Sequence, residues 1–170
     1  MSALRALVLA ALLALAVVLQ VSVFPYLSVA GVVPDLALLV VVAAGLVRGS
    51  DFAAVLGFFG GLAVDLAPPA DHVAGRWALA LVVVGYLAGR MRSDTRMSAP
   101  MALMTVGVSA FVGTSLFALS GLVLRDPGVP VGQALTVIPI GVAYDVLLAP
   151  LVLPPLVRLF DRLQPRRVAY

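Results

Sequence analysis

The chain contains no cysteine, no lysine and no glutamate, and it has a single histidine in 170 residues. Without cysteine there can be no disulfide, no thiolate nucleophile and no thiolate metal site. Charged residues make up only 11% of the chain, and all of them are arginine or aspartate. One histidine cannot form a metal site alone, and no paired acid and base accompanies it. We therefore expect a protein that is not an enzyme and holds no metal or cofactor.

Apolar residues dominate what remains. They form 63% of the chain, and the mean hydropathy is +1.16. This is more apolar surface than a soluble core of this size could bury, which indicates an integral membrane protein. The net charge of +3 would also suit nucleic acid. However, the arginines lie near the ends of apolar runs, where membrane orientation and anionic lipid explain them, so we expect lipid and no nucleic acid as a partner.

The apolar residues fall into runs that should all be helices, because hydrocarbon offers no partner to backbone groups and barrel-type alternation is missing. The sequence thus predicts an all-α polytopic bundle of about six transmembrane helices, forming a single domain over residues 1–170. A signal peptide is the alternative for the first run, but its apolar stretch exceeds the roughly 7–15 residues of such a segment. The runs lie at about 4–24, 33–47, 52–67, 76–91, 98–123 and 132–158.

Arginines alternate along the chain. Nine of the eleven occupy every second gap between apolar runs, and Arg76 and Arg125 occupy the others. Basic residues are retained on the cytoplasmic side, so both termini should face the cytoplasm of a cell membrane. The tail over residues 158–170, with Leu159, Phe160 and Leu163 between its arginines, should lie along the inner membrane surface. The nine are Arg5, Arg48, Arg90, Arg92, Arg96, Arg158, Arg162, Arg166 and Arg167.

The second and third runs are short for membrane spans, since a span needs about 20 residues. They could form two short spans, a re-entrant hairpin, or one long helix interrupted at 48–51. The interrupted helix would reverse everything that follows and place most arginines outside. The arginine pattern therefore favours six spans.

Glycines recur at four-residue spacing, at Gly57 and Gly61, at Gly85 and Gly89, and at Gly45 and Gly49. This small-residue pattern allows membrane helices to approach closely. Generic packing and a partner-binding face are both open interpretations of it. The first pair lies on one helix face with Asp65.

Aspartates inside a membrane cost about 2.5–3.5 kcal/mol on insertion scales, so each needs a partner, an interface or a proton. Asp35 follows Pro34 and should cap the second helix, with a ligand role as the alternative. Asp35, Asp65 and Arg76 could meet at the outer interface, where a structural ion pair is favoured over catalysis. Asp71 and His72 should be solvated in the same loop.

Asp145 is the acid expected deepest in the bilayer, in the middle of the sixth run and between Pro139 and Pro150. The prolines would free backbone groups that its carboxyl could bind, with Tyr144 beside it. A proton relay or ligand contact and a protonated structural residue are equally consistent with this position.

Short motifs in a fixed order resemble the MreD family of bacterial rod-shape-determining membrane proteins. The resemblance covers roughly the first ninety residues, and beyond them it extends mainly to hydropathy and the basic C-terminal end. The motifs are Leu19-Gln20, Phe24-Pro25, Gly31, Pro34-Asp35-Leu36, Gly57-Phe58, Gly61-Leu62, Asp65-Leu66, Gly75, Trp77-Ala78-Leu79 and Gly85-Tyr86.

The resemblance implies a non-enzymatic component of the bacterial elongation machinery. Its direct partner would be MreC, in a complex that links MreB filaments to RodA and a penicillin-binding transpeptidase. It also implies an architecture like the substrate-binding components of energy-coupling-factor transporters. Our hypothesis from the sequence is that the glycine faces and the outer aspartate cluster dock the single span of MreC; self-association is also open.

The main rival is a substrate-binding subunit of a vitamin-type transporter, because such subunits also place six helices in fewer than two hundred residues. They dock through an Ala-x-x-x-Ala motif in the first helix, and Ala6, Ala10 and Ala14 match it here. The loops lack the polar residues expected of a vitamin pocket. A lipid-modifying enzyme is disfavoured by the missing acid–base pair and metal cluster.

The arginine pattern generates a direct prediction of topology. Because the chain has no cysteine, single-cysteine variants can be labelled without background. A membrane-impermeant maleimide added to intact cells should label A70C but neither S2C nor Y170C, and permeabilised cells should show labelling of all three. Labelling of either terminal variant in intact cells would contradict the orientation.

Overall fold

The structure, a computed structural model, describes residues 3–68, 73–92, 98–124 and 131–164. These residues form six α-helices and no β-strand, which confirms the all-α class. A 3-10 turn, Phe24–Leu27, follows the first helix. The helices are α1 Ala3–Ser22, α2 Leu36–Arg48, α3 Ser50–Leu66, α4 Arg76–Arg90, α5 Ala99–Val123 and α6 Val131–Arg162.

Three of these helices are long and apolar enough to cross a membrane, as expected of a membrane protein: α1, α5 and most of α6. In the apolar 18-residue segment of each helix, the bundle buries only 28% of the residues in α1, 39% in α5 and 17% in α6. Their apolar side chains therefore largely face outward. On α6, for example, Leu147 is 77% exposed and Leu151 is 74% exposed. A surface of this kind is stable against hydrocarbon and unfavourable against water.

The shortest helix, α2, lies at the centre. Every residue from Leu36 to Val47 is buried. In the described part of the chain, α2 contacts each of the other five helices. A helix that is apolar on all sides must be surrounded, and here protein surrounds it. Its 13 residues extend only about 20 Å, against about 30 Å of hydrocarbon, so its ends lie among protein groups.

Gly49 alone separates α2 from α3, with φ at 90° and ψ at 178°. This conformation is open to glycine and costly for residues with a side chain. The turn folds α3 back along α2. This is shown by Gly60 of α3, where an added methyl group would lie 3.8 Å from Val41 Cγ2 of α2. In one continuous helix these residues would be about 28 Å apart, so the interrupted-helix arrangement is wrong. Two short spans and a re-entrant hairpin remain as predictions.

Glycines join α3 to α4 face to face. A methyl group at Gly57 would overlap the Leu81 carbonyl oxygen, and one at Gly61 would overlap the Trp77 carbonyl oxygen. From the other side, methyl groups at Gly85 and Gly89 would overlap the backbones of Ala53 and Ser50 respectively. The two backbones therefore lie in contact along their length, the close approach that small residues allow.

This packing corrects the sequence hypothesis that the glycine faces dock MreC. The α3 face with Gly57 and Gly61 and the α4 face with Gly85 and Gly89 are already filled by each other. A second protein could reach them only by separating α3 from α4.

Arginines from several of the predicted cytoplasmic gaps gather at one end of the bundle. Arg5 lies close enough to Arg48 for their charges to interact, and the Arg92 guanidinium lies beside Gly49. Arg48 also sits over the ring of Phe52, 4.2 Å from its centroid. Which side of the membrane this end faces remains a prediction.

The predicted membrane-surface tail is different in the structure. Residues 158–162 continue α6, and Phe160 is fully buried, with its ring edge-on to Phe52 at 6.4 Å. Gln164 donates to the Val47 carbonyl at 3.3 Å. The Phe160 ring and the side-chain hydrogen bond of Gln164 thus hold this segment to the residues on either side of the α2–α3 turn. Its amphipathic spacing alone predicts contact with lipid. Residues 165–170 lie outside the described part.

The α3–α4 interface predicts a large difference between glycine substitutions. Replacing Gly57 with leucine should destabilise the protein by about 3 kcal/mol or more, because the side chain meets backbone that cannot move aside. Gly141, whose nearest neighbours would lie 3.7 and 3.8 Å from an added methyl group, is the control. Thermal unfolding in detergent should show a lower midpoint for G57L and an unchanged or higher one for G141A. Equal midpoints for the two variants would contradict the interface.

Candidate functional site

The start of α2 creates a problem of hydrogen bonding inside the bundle. The first backbone N–H groups of a helix have no partner within it, and here they are buried. A buried N–H without a partner costs about 1–3 kcal/mol. Side chains must therefore reach this helix end from elsewhere in the fold.

Three side chains do so. Asp35 caps its own helix, with Oδ1 accepting from Leu38 N at 2.9 Å. Gln20 of α1 accepts from Ala37 N at 3.1 Å through Oε1. Asp145 of α6 accepts from Asp35 N at 2.7 Å through Oδ1. We call Gln20, Asp35 and Asp145 the α2 cap cluster, because together they satisfy this helix end and join α1, α2 and α6.

The cluster is buried and rich in acid groups. Gln20 is 8% exposed, Asp35 is 6% exposed and Asp145 is 1% exposed. Asp35 Oδ2 has no hydrogen-bond partner within the described structure, although the Gln20 side chain lies beside the carboxyl. No arginine among the described residues is bonded to either carboxyl. Within the described part of the chain, positive potential at these carboxyls comes from the N-terminus of α2 and its N–H groups.

The loop before α2 fixes the position of Asp35. Val29 and Val32 exchange backbone hydrogen bonds of 3.1 and 3.0 Å around a tight turn at Ala30 and Gly31, both with positive φ. Asp35 itself has an extended backbone, with φ at −94° and ψ at 92°, as a cap residue requires. Tyr144, next to Asp145 on α6, donates its hydroxyl to the Leu27 carbonyl at 2.6 Å. The loop and α6 are thus tied together at two successive residues.

Asp65 performs a similar task at the start of α4. Its carboxylate accepts from Gly75 N at 2.8 Å and from Trp77 N and Ala78 N at 3.1 Å each. The side chain is 1% exposed. A carboxylate at a helix N-terminus also interacts favourably with the helix dipole. Asp65 therefore joins the end of α3 to the start of α4 across the intervening loop.

Arg76 connects α4 to α5. It is 2% exposed, and its guanidinium donates to the Phe117 carbonyl at 2.7 Å and to Ser120 Oγ at 3.2 Å. The guanidinium carbon lies 3.9 Å from the centroid of the Phe117 ring, which stacks on Trp77. A methyl group at Gly121 would overlap the guanidinium, so a glycine here makes room for the arginine.

The structure shows two sets of bonds among the residues predicted to meet at the outer interface. Asp65 of α3 bonds to the start of α4, where Arg76 lies, whereas Asp35 bonds to the start of α2 and to Asp145 of α6. A single cluster of all three residues remains a prediction. The capping role predicted for Asp35 is confirmed. Asp71 and His72 lie outside the described residues.

Sequence reasoning missed the pairing of Asp35 with Asp145 and the part played by Gln20. The two aspartates are 110 residues apart, so no local pattern links them. Gln20 did leave a signal, as the only strongly polar side chain after Arg5 in the first apolar run.

These groups hold helix ends. No three His, Asp or Glu side chains in the described ranges lie close enough together to hold a metal ion. A groove of about 240 Å³ between the start of α5 and the later half of α6 is lined almost wholly by apolar side chains. The arrangement can fix helices and hold a charge or a proton at the α2 cap cluster.

Asp65 generates a test of capping. Alanine there should lower the free energy of unfolding by about 2 kcal/mol or more, because three N–H groups lose their acceptor. Asparagine, which keeps one acceptor oxygen, should fall between alanine and the native residue. The exposed Asp51 in the first turn of α3 is the control, where alanine should cost only about 0.3–1 kcal/mol. Denaturant titration in detergent measures all three; equal losses at the two positions would refute the cap.

Comparisons of the chain with protein-family models, with curated proteins and with solved structures found no match.

Proposed function

We propose that this chain is a non-enzymatic membrane scaffold of the bacterial cell-elongation complex and a partner of MreC. The observation that carries the proposal is where the residues of the MreD resemblance lie. Gln20 and Asp35 belong to the α2 cap cluster, Asp65 caps α4, and Gly57 and Gly61 lie in the α3–α4 interface. These motifs are thus the contacts that hold the bundle together, as expected if the resemblance reflects a shared fold.

A scaffold of this kind acts by offering helix surfaces to other membrane proteins. In place of the buried glycine faces, we assign MreC to the outer face of α3, where Val55, Phe58, Phe59 and Leu66 are between 46% and 66% exposed. The rings of Phe58 and Phe59 pack edge to face with centroids 5.5 Å apart. The opposite side of α3 is locked against α4, so these aromatic side chains are presented rigidly. Rigid aromatic anchors commonly dominate protein interfaces.

The proposal places the chain in the plasma membrane of a bacterium with both termini in the cytoplasm. MreB filaments, RodA and the penicillin-binding transpeptidase would be reached through MreC. Self-association through the α3 outer face is the competing use of the same surface.

A vitamin-type transporter subunit is the second candidate, and one observation favours it. Ala6, Ala10 and Ala14 are all exposed on α1, as docking through that motif would require. Against it, the groove of about 240 Å³ and a second one beside Pro139 and Tyr144 are lined mainly by apolar residues. A vitamin site needs several convergent polar groups. Mass spectrometry of the purified protein distinguishes the two candidates, because a retained small molecule would favour the transporter subunit over the scaffold.

The scaffold proposal predicts a surface-specific effect on partner binding. The double variant F58A/F59A should lower recovery of co-expressed MreC from solubilised membranes by at least about tenfold, because two aromatic anchors are lost. The control is L147A/L151A, which removes two apolar side chains of α6 that are more exposed than Phe58 and Phe59 and should leave recovery unchanged.

The outcomes separate the function from the surface. If the native chain recovers no MreC, the proposed function is wrong. If it recovers MreC and the α3 variant recovers as much, the function stands and the assignment of the α3 face fails. Loss in the α6 variant alone would move the interface to α6.

A further inference from the structure

We propose that Asp35 and Asp145 form one buried site that binds a single proton between them. The inference is independent of the proposed scaffold function. It rests on the geometry of the α2 cap cluster, in which a carboxyl from the loop before α2 and a carboxyl from α6 meet at a helix start.

The first step is proximity. Asp145 Oδ1 lies 2.7 Å from the backbone nitrogen of Asp35, so the Asp145 carboxyl lies beside the residue that carries the other carboxyl. Both residues are more than nine-tenths buried. Two negative charges this close in an apolar interior repel strongly, and the helix N-terminus supplies only about half a positive charge.

The second step is an unused acceptor. Asp35 Oδ1 is engaged by Leu38 N, but the buried Oδ2 has no partner in the described residues. A buried carboxyl oxygen without a donor is costly, and a proton shared with the neighbouring carboxyl would supply one. The proton would be covalently bound to one carboxyl and donated to the other, which leaves a single negative charge on the pair.

The third step is that the described residues show no other counter-charge at the pair. The polar side chain beside it is the uncharged Gln20 of α1, and Tyr144, next to Asp145 in sequence, donates to Leu27. The charged side chains Asp65 and Arg76 hold the start of α4 and the α4–α5 contact. Among the described residues, therefore, a proton is the simplest cation that removes one of the two negative charges.

Proton binding at this site would control how α6 is held. With one proton bound, Asp145 can remain bonded to the start of α2. With none, the repulsion between the carboxyls would push α6 away from α2.

The test uses infrared spectroscopy of the full-length protein in lipid nanodiscs at neutral pH. The native chain should show the carbonyl stretch of a protonated carboxylic acid, shifted in heavy water. Both D35N and D145N should lose it, because an asparagine amide supplies an N–H donor in place of the shared proton and leaves the other carboxylate ionised. D51N, at the exposed start of α3, should keep it.

Asparagine is close in shape to a protonated aspartate and is a good helix cap, so both variants should fold; circular dichroism checks this. If the native chain lacks the band, or if either single variant keeps it, the shared-proton site is refuted. Loss of the band on adding sodium ions would also overturn it, because the site would then bind a metal cation.

Discussion

The fold depends on a buried helix start. Helix α2 is short, apolar on every side and enclosed by the other five helices, so its first N–H groups cannot reach water. Gln20, Asp35 and Asp145 supply acceptors from α1, from the loop and from α6. The same hydrogen bonds that satisfy the backbone therefore also decide which helices surround α2. Polar residues are rare in this chain, and these three are used where apolar packing cannot help.

The second half of the bundle follows a related principle. Close backbone contact between α3 and α4 leaves no room for side chains, so glycines line it and van der Waals contact supplies the attraction. Asp65 then fixes the register by binding the start of α4, and Arg76 ties that start to α5. Apolar contact holds these helices side by side, while single charged residues fix the positions of their ends relative to the neighbouring helices. Asp65 and Arg76 thus connect neighbouring helices at their ends.

Much of the fold could be predicted from the sequence, because apolar runs and arginine gaps are local patterns. The six helices lie within a few residues of the expected segments. Spacing also predicted that the glycines pack against a helix, but it could not say whether that helix belongs to the same chain. The α2 cap cluster could not be predicted, since Asp35 and Asp145 are brought together only by the packing of α6. Phe160 was misassigned for the same reason: an amphipathic pattern does not distinguish lipid from a neighbouring helix.

The separation of Asp35 and Asp145 along the chain has a consequence for biosynthesis. Asp145 is made 110 residues after Asp35, so the ribosome completes α2 long before it reaches this acceptor. Throughout that interval the backbone amide of Asp35 lacks its native acceptor. The last hydrogen bond at this helix start therefore cannot form until α6 has been made, so the α2 cap cluster is completed late in assembly.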